Sequence, residues 1–239
     1  MENSKVTGSF ISGLFLFLGL VALGYLLGSS LIKFKEYERT VTVKGLSERE
    51  FPAGVAVWPI QFNRADNDLD KIYDLLDSDG RKITAFLKKA GFAKTEVSAA
   101  PPAITDKLAQ QYGGGGQIQY RYTANQTITV YTQNVEQVRN AQKDLADLGK
   151  SGILFTGQDY GIRTEYLFNR LNEIKPEMVE EATRNAREVA EKFARDSNSV
   201  LGKIKQARQG RFSISDRDNN TPHIKKVRVV STIEYYLSD

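Results

Sequence analysis

The sequence predicts an α+β fold, in which an N-terminal transmembrane helix is followed by antiparallel sheets packed with about three helices. One long uncharged apolar segment lies near the start of the chain. Three later segments carry apolar or small residues at helical spacing, and several others alternate with period two. Because predicted hairpins and helices are mixed along the chain, helices on antiparallel sheets are favoured over a doubly wound nucleotide-binding fold.

The apolar segment predicts a retained membrane anchor. No charged residue occurs from Val6 to Ile32, and a bilayer core about 30 Å thick needs about 20 helical residues. A cleaved signal peptide is the alternative, but its apolar core is normally about 7–15 residues long before a small-x-small site. We therefore expect residues 1–39 to form an anchor and a juxtamembrane stalk. Gly24 and Gly28 have GxxxG spacing and are candidate contacts between helices.

The charges that flank the anchor bear on its orientation. Lys5 precedes the apolar segment, whereas Lys33, Lys35 and Arg39 follow it. Lysine and arginine concentrate on the cytoplasmic side of membrane helices. Taken alone, this count favours a cytoplasmic position for the folded domain.

Residues 40–239 are predicted to form the α+β domain, with two subdomains as an open alternative. Thr40–Gly45 alternates with period two and predicts a first strand that ends in a turn. Val55–Phe62 predicts a second strand, whose lone tryptophan, Trp58, is expected in the core.

The first helix of this domain is expected to run from a cap at Asn67 or Asp68 to about Ala90, where Gly91 closes it. The Asp79-Gly80 step is expected to weaken or bend this helix. The remaining elements follow from the same periodicities: strands at 94–104, 118–131, 162–168, 204–214 and 227–237, a helix over 134–148, and a helix with Pro176 in its first turn and alanines at 182, 186, 190 and 194.

Few residues indicate catalysis or metal binding. The chain has no cysteine and one histidine, His223, so a base or metal ligand there lacks its usual partners. Asp66, Asp68 and Asp70 alternate like calcium ligands but lack the glycine and terminal glutamate of that motif, and helix capping explains them better. Gly113–Gly116 precedes no Lys-Ser or Lys-Thr pair, so it is not a phosphate-binding loop. We expect a protein that is not an enzyme and that holds no cofactor and no metal.

Nucleic-acid binding is not expected either. The net charge is only +4, and phosphate-driven affinity needs several cations on one surface. The basic residues cluster weakly at 203–211 and 225–228, where solvated strand faces explain them.

Several segments together resemble the SIMPL-domain family. The opening strand with its glycine at 40–45, the helix end at 87–92 and the strand at 122–130 are similar to segments of that family. So are the alanine-rich helix that leads into 201–204 and the final strand at 227–237. The order and spacing of these segments carry the resemblance, which covers Thr40 to the C-terminus. One departure is that Pro52 is followed by Ala53, where the family often has an aspartate.

The resemblance implies a bacterial envelope protein at the inner membrane, with its folded domain in the periplasm or outside the cell. It therefore opposes the local charge count. It also implies a link to oxidative-stress tolerance, large ring-like oligomers in some members, and no established catalytic residues.

We therefore expect a homo-oligomeric, membrane-anchored protein with a structural or interaction role. Its candidate contacts are the sheet edges, the helix glycines named above, and the loop glycines Gly113, Gly114, Gly115 and Gly116. The alternative is a module that binds peptidoglycan or a small hydrophobic molecule at a tyrosine-rich surface. The candidate residues of that surface are Tyr112, Tyr120, Tyr122 and Tyr131.

Overall fold

The computed structural model describes residues 3–36, 39–109, 119–155 and 163–238, and in the first of these ranges it describes side chains from 13 to 30. The helices are α1 (Asn3–Glu36), α2 (Leu69–Lys89), α3 (Val135–Lys150) and α4 (Leu171–Asp196), with a 3₁₀ turn at Lys94–Glu96. The strands are β1 (Thr40–Pro52), β2 (Val55–Asp66), β3 (Val97–Ala99), β4 (Ala103–Asp106), β5 (Tyr122–Thr132), β6 (Leu154–Phe155), β7 (Glu165–Leu167), β8 (Val200–Gln209), β9 (Ser213–Asp216) and β10 (Ile224–Ser238). They form two antiparallel sheets, so the fold is α+β as predicted.

The chain divides into two compact units, each assembled from separated segments. The first unit contains Met1–Glu48, Lys175–Ser213 and Arg228–Asp239. The second unit contains Arg49–Ile174 and Ile214–Val227. Each unit therefore depends on contacts between residues far apart in the sequence.

Helix α1 is the apolar element of the first unit. Its segment Gly13–Ser30 has a mean hydropathy of 1.9 and is 0% buried. Leucine, phenylalanine and tyrosine side chains point outward around it, among them Phe15, Leu16 and Tyr25. Among the described helices, α1 is the one that is long and apolar enough to cross a membrane, although a signal sequence near an N-terminus satisfies the same test.

Helix α4 packs in the first unit through its alanines. The sheet has the order β1-β10-β8, with β9 beside β10. Ala182, Ala186, Ala190 and Ala194 are buried, as their four-residue spacing predicts. The core of the first unit joins two of these alanines to side chains of β1 and β10: Val43, Ala186, Ala190, Ile233 and Tyr235.

Gly45 marks the point where β1 and α4 come closest. A Cβ atom at this position would lie 1.8 Å from the carbonyl oxygen of Ala182 and 2.4 Å from the backbone nitrogen of Ala186. The predicted turn at Gly45 is therefore wrong. Strand β1 continues to Pro52 because β10 pairs beside it, and the glycine makes room for the helix.

Two side-chain hydrogen bonds hold α4 against the same part of β1. Ser47 Oγ donates to Glu181 Oε2 at 3.0 Å. Asn185 Nδ2 donates to the backbone carbonyl of Leu46 at 2.8 Å. The contact is therefore both sterically tight and polar at its margin.

The second unit is built on one long strand pair. Strands β2 and β5 pair antiparallel from Ala56–Thr132 to Asp66–Tyr122. Strands β3 and β4 extend the sheet beyond β5, and β6 and β7 extend it beyond β2. Pro59 falls in the gap between the β7 and β6 pairings with β2, where its missing N–H removes no bond to those strands.

Helices α2 and α3 contribute to the core of the second unit. Trp58 is buried as expected and meets Phe92 with ring centroids 6.4 Å apart. The most buried apolar side chains come from both helices and the two central strands: Phe62, Ile72, Ile83, Leu87, Val130 and Val138. This core supports the predicted amphipathic faces of both helices.

The ends of α2 follow the predicted capping chemistry. The Asp68 side chain accepts from the backbone nitrogen of Asp70 at 3.0 Å. Gly91 closes the helix with a φ of 92°. The helix is continuous through Asp79-Gly80, where the buried Asp79 carboxylate accepts from Arg64 Nε at 2.5 Å.

Several boundaries differ from the predicted ones. Helix α4 begins at Leu171, so Pro176 lies in its second turn rather than its first. The strand predicted at 94–104 is divided into the 3₁₀ turn, β3 and β4, because a Pro101-Pro102 pair interrupts strand pairing. Helix α3 passes Gly149 and ends at Lys150, and Gly152 adopts a φ of 84° beyond it.

Replacing Gly45 by alanine is expected to destabilise the first unit, because the new methyl group would overlap backbone atoms of α4. Overpacking of this kind costs about 1–3 kcal/mol, and occasionally more. A urea titration of the full chain, followed by circular dichroism, measures the change in the free energy of unfolding.

Gly80→Ala is the matched control for this experiment. An added Cβ at Gly80 has nothing within 4 Å, and the higher helix propensity of alanine predicts a gain of about 0.5–1 kcal/mol. A Gly45→Ala variant that is as stable as the parent chain would contradict the close approach of α4 to Gly45.

Candidate functional site: a polar cleft in the second unit

The structure separates the tyrosines of the predicted ligand surface. Tyr122 is half-buried against the core, with Arg121 Cζ 4.7 Å from its ring centroid. Tyr131 is 56% exposed and alternates with the buried Val130 and Thr132, so it lies on the opposite face of β5. Tyr120 is exposed just before the strand. Tyr122 and Tyr131 therefore do not share one surface.

The structure describes only some of the predicted contact residues. Tyr112 and Gly113, Gly114, Gly115 and Gly116 lie outside the described residues. At Gly24 and Gly28, an added Cβ would have nothing within 4 Å in the single chain. This flank of α1 is therefore open to a neighbouring helix or to lipid.

A cleft of about 880 Å³ lies between α3, β7 and the segment that joins β9 to β10, all within the second unit. Helix α3 contributes Arg139, Gln142 and Lys143. The β7 segment and the β9–β10 segment contribute the remaining walls: Arg163, Thr164, Glu165, Tyr166, Leu167, Asp216, Asn219, Asn220, Pro222, His223 and Lys225. Most of these side chains are polar or charged, so the cleft suits a hydrated, polar ligand better than an apolar one.

One wall of the cleft is held by Gln142. Its Nε2 donates to Thr164 Oγ1 at 2.7 Å, and Tyr166 Oη donates to its Oε1 at 3.5 Å. Tyr166 is buried, and this burial raises the pKa of its phenol. The bonds through Gln142 join α3 to β7, which are distant in the sequence.

The opposite wall is a loop organised by Asp218. The Asp218 carboxylate accepts from the backbone nitrogens of Asn220 at 2.8 Å and Thr221 at 2.7 Å. The Thr221 hydroxyl and then the Arg217 guanidinium hold the pKa of this carboxyl well below its usual range. The segment that joins β9 to β10 is therefore an ordered turn of the kind that aspartate favours.

Lys225 and His223 lie where this loop enters β10. The Lys225 side chain is 9% exposed and forms an ion pair with Asp216. The His223 ring meets the Tyr166 ring edge-on, with centroids 6.0 Å apart. Burial, followed by the positive charge of Arg139, holds the pKa of the imidazole below its usual value.

The charges of the cleft set its chemical preference. Four cations line it, Arg139, Lys143, Arg163 and Lys225, against two carboxylates, Glu165 and Asp216. Arg139 donates to Glu136 at 2.6 Å, so part of its charge is balanced within α3. The remaining excess favours an anionic or strongly polar ligand.

No group of three or more histidine, cysteine or acidic side chains is arranged to hold a metal ion within the described part of the chain. Of the aspartates weighed as calcium ligands, Asp68 caps α2. Asp66 accepts from the backbone nitrogen of Asn67 at 2.8 Å and pairs with Lys71, whose hydrogen bond lowers the pKa of Asp66.

A comparison with known protein families finds a match over most of the chain. The model of the SIMPL family, described as a protein of unknown function (DUF541), matches residues 41–231. The chain belongs to the SIMPL family. No curated protein matches it.

The SIMPL match begins shortly after the end of α1 and includes the whole of the polar cleft. The resemblance drawn from the sequence is thus confirmed. Sequence reasoning missed the cleft because long-range strand pairing assembles it: β7 pairs with β2, and β9 pairs with β10. The local signals were limited to the polar composition of 215–222 and the single histidine.

The single histidine gives a direct test of the cleft. We expect His223 to titrate below 6.5, as nuclear magnetic resonance of the imidazole would show. As the pH falls, the imidazole is protonated first in the unfolded chain, where its pKa is about 6.5. The contribution of His223 to stability is therefore fully present above about pH 6.5 and is lost as the pH falls through the lower pKa of the folded state.

Arg139→Gln should raise the pKa of His223, because it removes a positive charge that disfavours the imidazolium. Lys89→Gln, at an exposed position of α2 that does not line the cleft, should leave it unchanged. A pKa at or above 6.5 in the parent chain would contradict this picture.

Proposed function

We propose that the chain is a non-catalytic envelope protein, anchored by α1 in the cytoplasmic membrane, whose SIMPL domain joins to copies of itself outside the cytoplasm. The observation that carries the proposal is the apolar segment Gly13–Ser30, which is 0% buried and so finds no apolar partner among the described residues. A lipid environment satisfies such a surface. The external position is what the resemblance drawn from the sequence implies, against the cations at Lys33, Lys35 and Arg39.

The sheet of the first unit supports self-association. In the order β1-β10-β8, both outer strands have a side that pairs with no other strand of the described chain. Strand β8 is ten residues long, and nine of those residues are exposed. An unpaired strand edge offers N–H and C=O groups to another chain.

The strand directions favour one type of pairing. The backbone nitrogen of Leu237 donates to the carbonyl of Arg39, and Val200 is the register partner of Ser238, so β1 and β8 begin at the same end of β10. Two β8 edges related by a two-fold axis would pair antiparallel, with their anchored ends about 30 Å apart. A β8 edge on the β1 edge of the next copy runs parallel and keeps all anchors at one end. Such head-to-tail contacts form rings when they close.

Disulfide crosslinking tests this arrangement, since the chain contains no cysteine. Thr42 in β1 and Lys203 in β8 are exposed near the anchored end of their strands. The double variant Thr42→Cys/Lys203→Cys of the full chain, oxidised in membrane vesicles, is expected to give a ladder of multimers on a non-reducing gel.

The single-cysteine variants distinguish the outcomes. A dimer from Lys205→Cys alone, near the middle of β8, would indicate antiparallel β8–β8 pairing and contradict the head-to-tail arrangement. The control Thr42→Cys/Lys89→Cys places the second cysteine on the exposed surface of α2. If the ladder were absent, or equal to that of the control, edge-to-edge association would be rejected.

A role in stress tolerance fits assembly better than redox chemistry. The chain has no thiol, and Met178 is fully buried in α4. Oxidation of a thioether or thiol requires access to the sulfur. We therefore place any protective effect in the envelope structure that the assembled protein supports.

Ligand binding is the second candidate function, and the cleft is the observation that favours it. The cationic and polar lining argues for a carboxylate-bearing cell-wall fragment rather than a small hydrophobic molecule. Lys143 lines the cleft and is exposed, so a substitution there leaves the core intact.

Calorimetric titration with a muramyl peptide is expected to show binding, and Lys143→Glu is expected to weaken it about ten-fold, or about 1.4 kcal/mol. Lys89→Glu makes the same charge change away from the cleft and should have no effect. Binding of decanoate but not of the muramyl peptide would reject the polar-ligand assignment.

A further inference from the structure

The connection from α4 to β8 in the first unit exposes large apolar side chains. Phe193 is 56% exposed in the last turns of α4, and Val200 is 60% exposed at the start of β8. Val189 lies one helical turn before Phe193 and is 40% exposed. Ile204 lies four residues after Val200 and is 50% exposed. Exposed aromatic and aliphatic side chains that are concentrated in one short segment indicate an interaction surface.

A tight turn joins the two elements that carry the most exposed of these residues. The backbone nitrogen of Ser197 donates to the carbonyl of Phe193 at 3.1 Å, and that of Ser199 donates to the carbonyl of Ala194 at 2.8 Å. Asn198 takes a φ of 51°, a left-handed conformation that asparagine tolerates. The turn therefore reverses the chain within a few residues, so Phe193 and Val200 lie at the same end of the first unit.

Positive charges flank the apolar residues in the sequence. From 192 to 205 the chain carries Lys192, Arg195, Lys203 and Lys205, against the single acid Asp196. Lys205 pairs with Glu234 at 3.1 Å, whereas the first three cations are exposed. Apolar side chains among exposed cations are typical of protein surfaces that lie on a bilayer with anionic headgroups.

The same end of the first unit is tied to the point where the anchor enters. The Arg39 guanidinium donates to Ser199 Oγ at 3.2 Å. The backbone carbonyl of Arg39 accepts from the backbone nitrogen of Leu237 at 2.8 Å. Helix α1 ends at Glu36, so Arg39 lies within about 11 Å of that helix end along the chain.

This short tether limits the distance from the turn to the membrane. Ile32 ends the uncharged segment, and the helix from there to Glu36 rises about 6 Å. Arg39 therefore lies at most about 17 Å beyond the apolar segment. Since a headgroup layer is itself about 5–8 Å thick, the turn beside Arg39 is held within reach of the lipid surface.

We propose that the end of the first unit formed by Phe193, Val200 and the cations Lys192, Arg195 and Lys203 docks on the lipid surface of the membrane that holds α1. This inference rests on the anchoring proposed above. Phe193 and Val200 enter the headgroup region, and the cations contact anionic headgroups beside them. The far end of β8 then points away from the bilayer.

Fluorescence quenching in vesicles tests the docked position. A single cysteine is introduced at Val200 or, as the matched control, at the exposed Gln209 at the other end of the same strand, about 30 Å away. The full-length variants carry an environment-sensitive fluorophore and are reconstituted at a low ratio of protein to lipid. The vesicles contain phosphatidylcholine and phosphatidylglycerol, with a nitroxide on some of the headgroups.

We expect the label at 200 to be quenched several-fold more strongly than the label at 209. The difference should shrink in vesicles without phosphatidylglycerol or at high salt. Phe193→Glu should also reduce it while the protein still floats with the vesicles, because this exposed side chain does not support the core. Equal quenching at the two positions would overturn the docking proposal.

Two further outcomes distinguish lipid docking from a failure of the anchor and from coverage by a second copy of the chain. If the protein failed to float with the vesicles, the anchor itself would be wrong, and the docking proposal would fail with it. If the label at 200 were quenched no more than the label at 209 at a high ratio of protein to lipid, and more strongly only on dilution of the protein in lipid, a second copy would cover the surface, and lipid docking would be rejected. Quenching that persists on dilution supports the lipid surface.

Discussion

The close approach of α4 to β1 is the constraint on which the first unit depends. At Gly45 the backbone of the helix occupies the space that a side chain would take, so the facing positions of α4 must be small. The buried alanines satisfy this requirement. A contact made by small residues buries a narrow stripe of the helix, which leaves Val189 and Phe193 beside that stripe exposed. The surface that we assign to the membrane is thus a consequence of how tightly the helix packs.

In the second unit, the hydrophobic core and the polar cleft are formed by different segments. Its core is formed along the β2–β5 ladder and beneath α2 and α3, where the largest side chains are fully buried. The polar cleft lies where α3, β7 and the turn around Asp218 meet. Hydrogen bonds through Gln142 and Asp218 hold its walls in place. Because Thr164 and the turn around Asp218 lie in connecting segments, these walls of the cleft can differ between sequences without disturbing the ladder.

Elements with strong local signals were predictable from the sequence, and contacts assembled over long distances were not. The Asp68 cap, Gly91 and the alanine spacing each encode a local geometry, and α2 and α4 appear where those signals place them. Gly45 was misread as a turn, because a glycine at a close contact looks the same in sequence as one in a turn. The cleft could not be predicted, since pairing registers bring its walls together and no local periodicity encodes a register between distant strands.

The two proposals for the first unit depend on the same strand directions. Strands β1 and β8 both start beside Arg39, so an end that rests on lipid sets the height of both open edges at once. Copies docked in one membrane then present β8 and β1 edges at matching levels and in parallel directions. Restricting copies to two dimensions and to one orientation raises the effective concentration of the edges for one another. Docking on lipid would therefore favour assembly even when each edge contact is weak in solution.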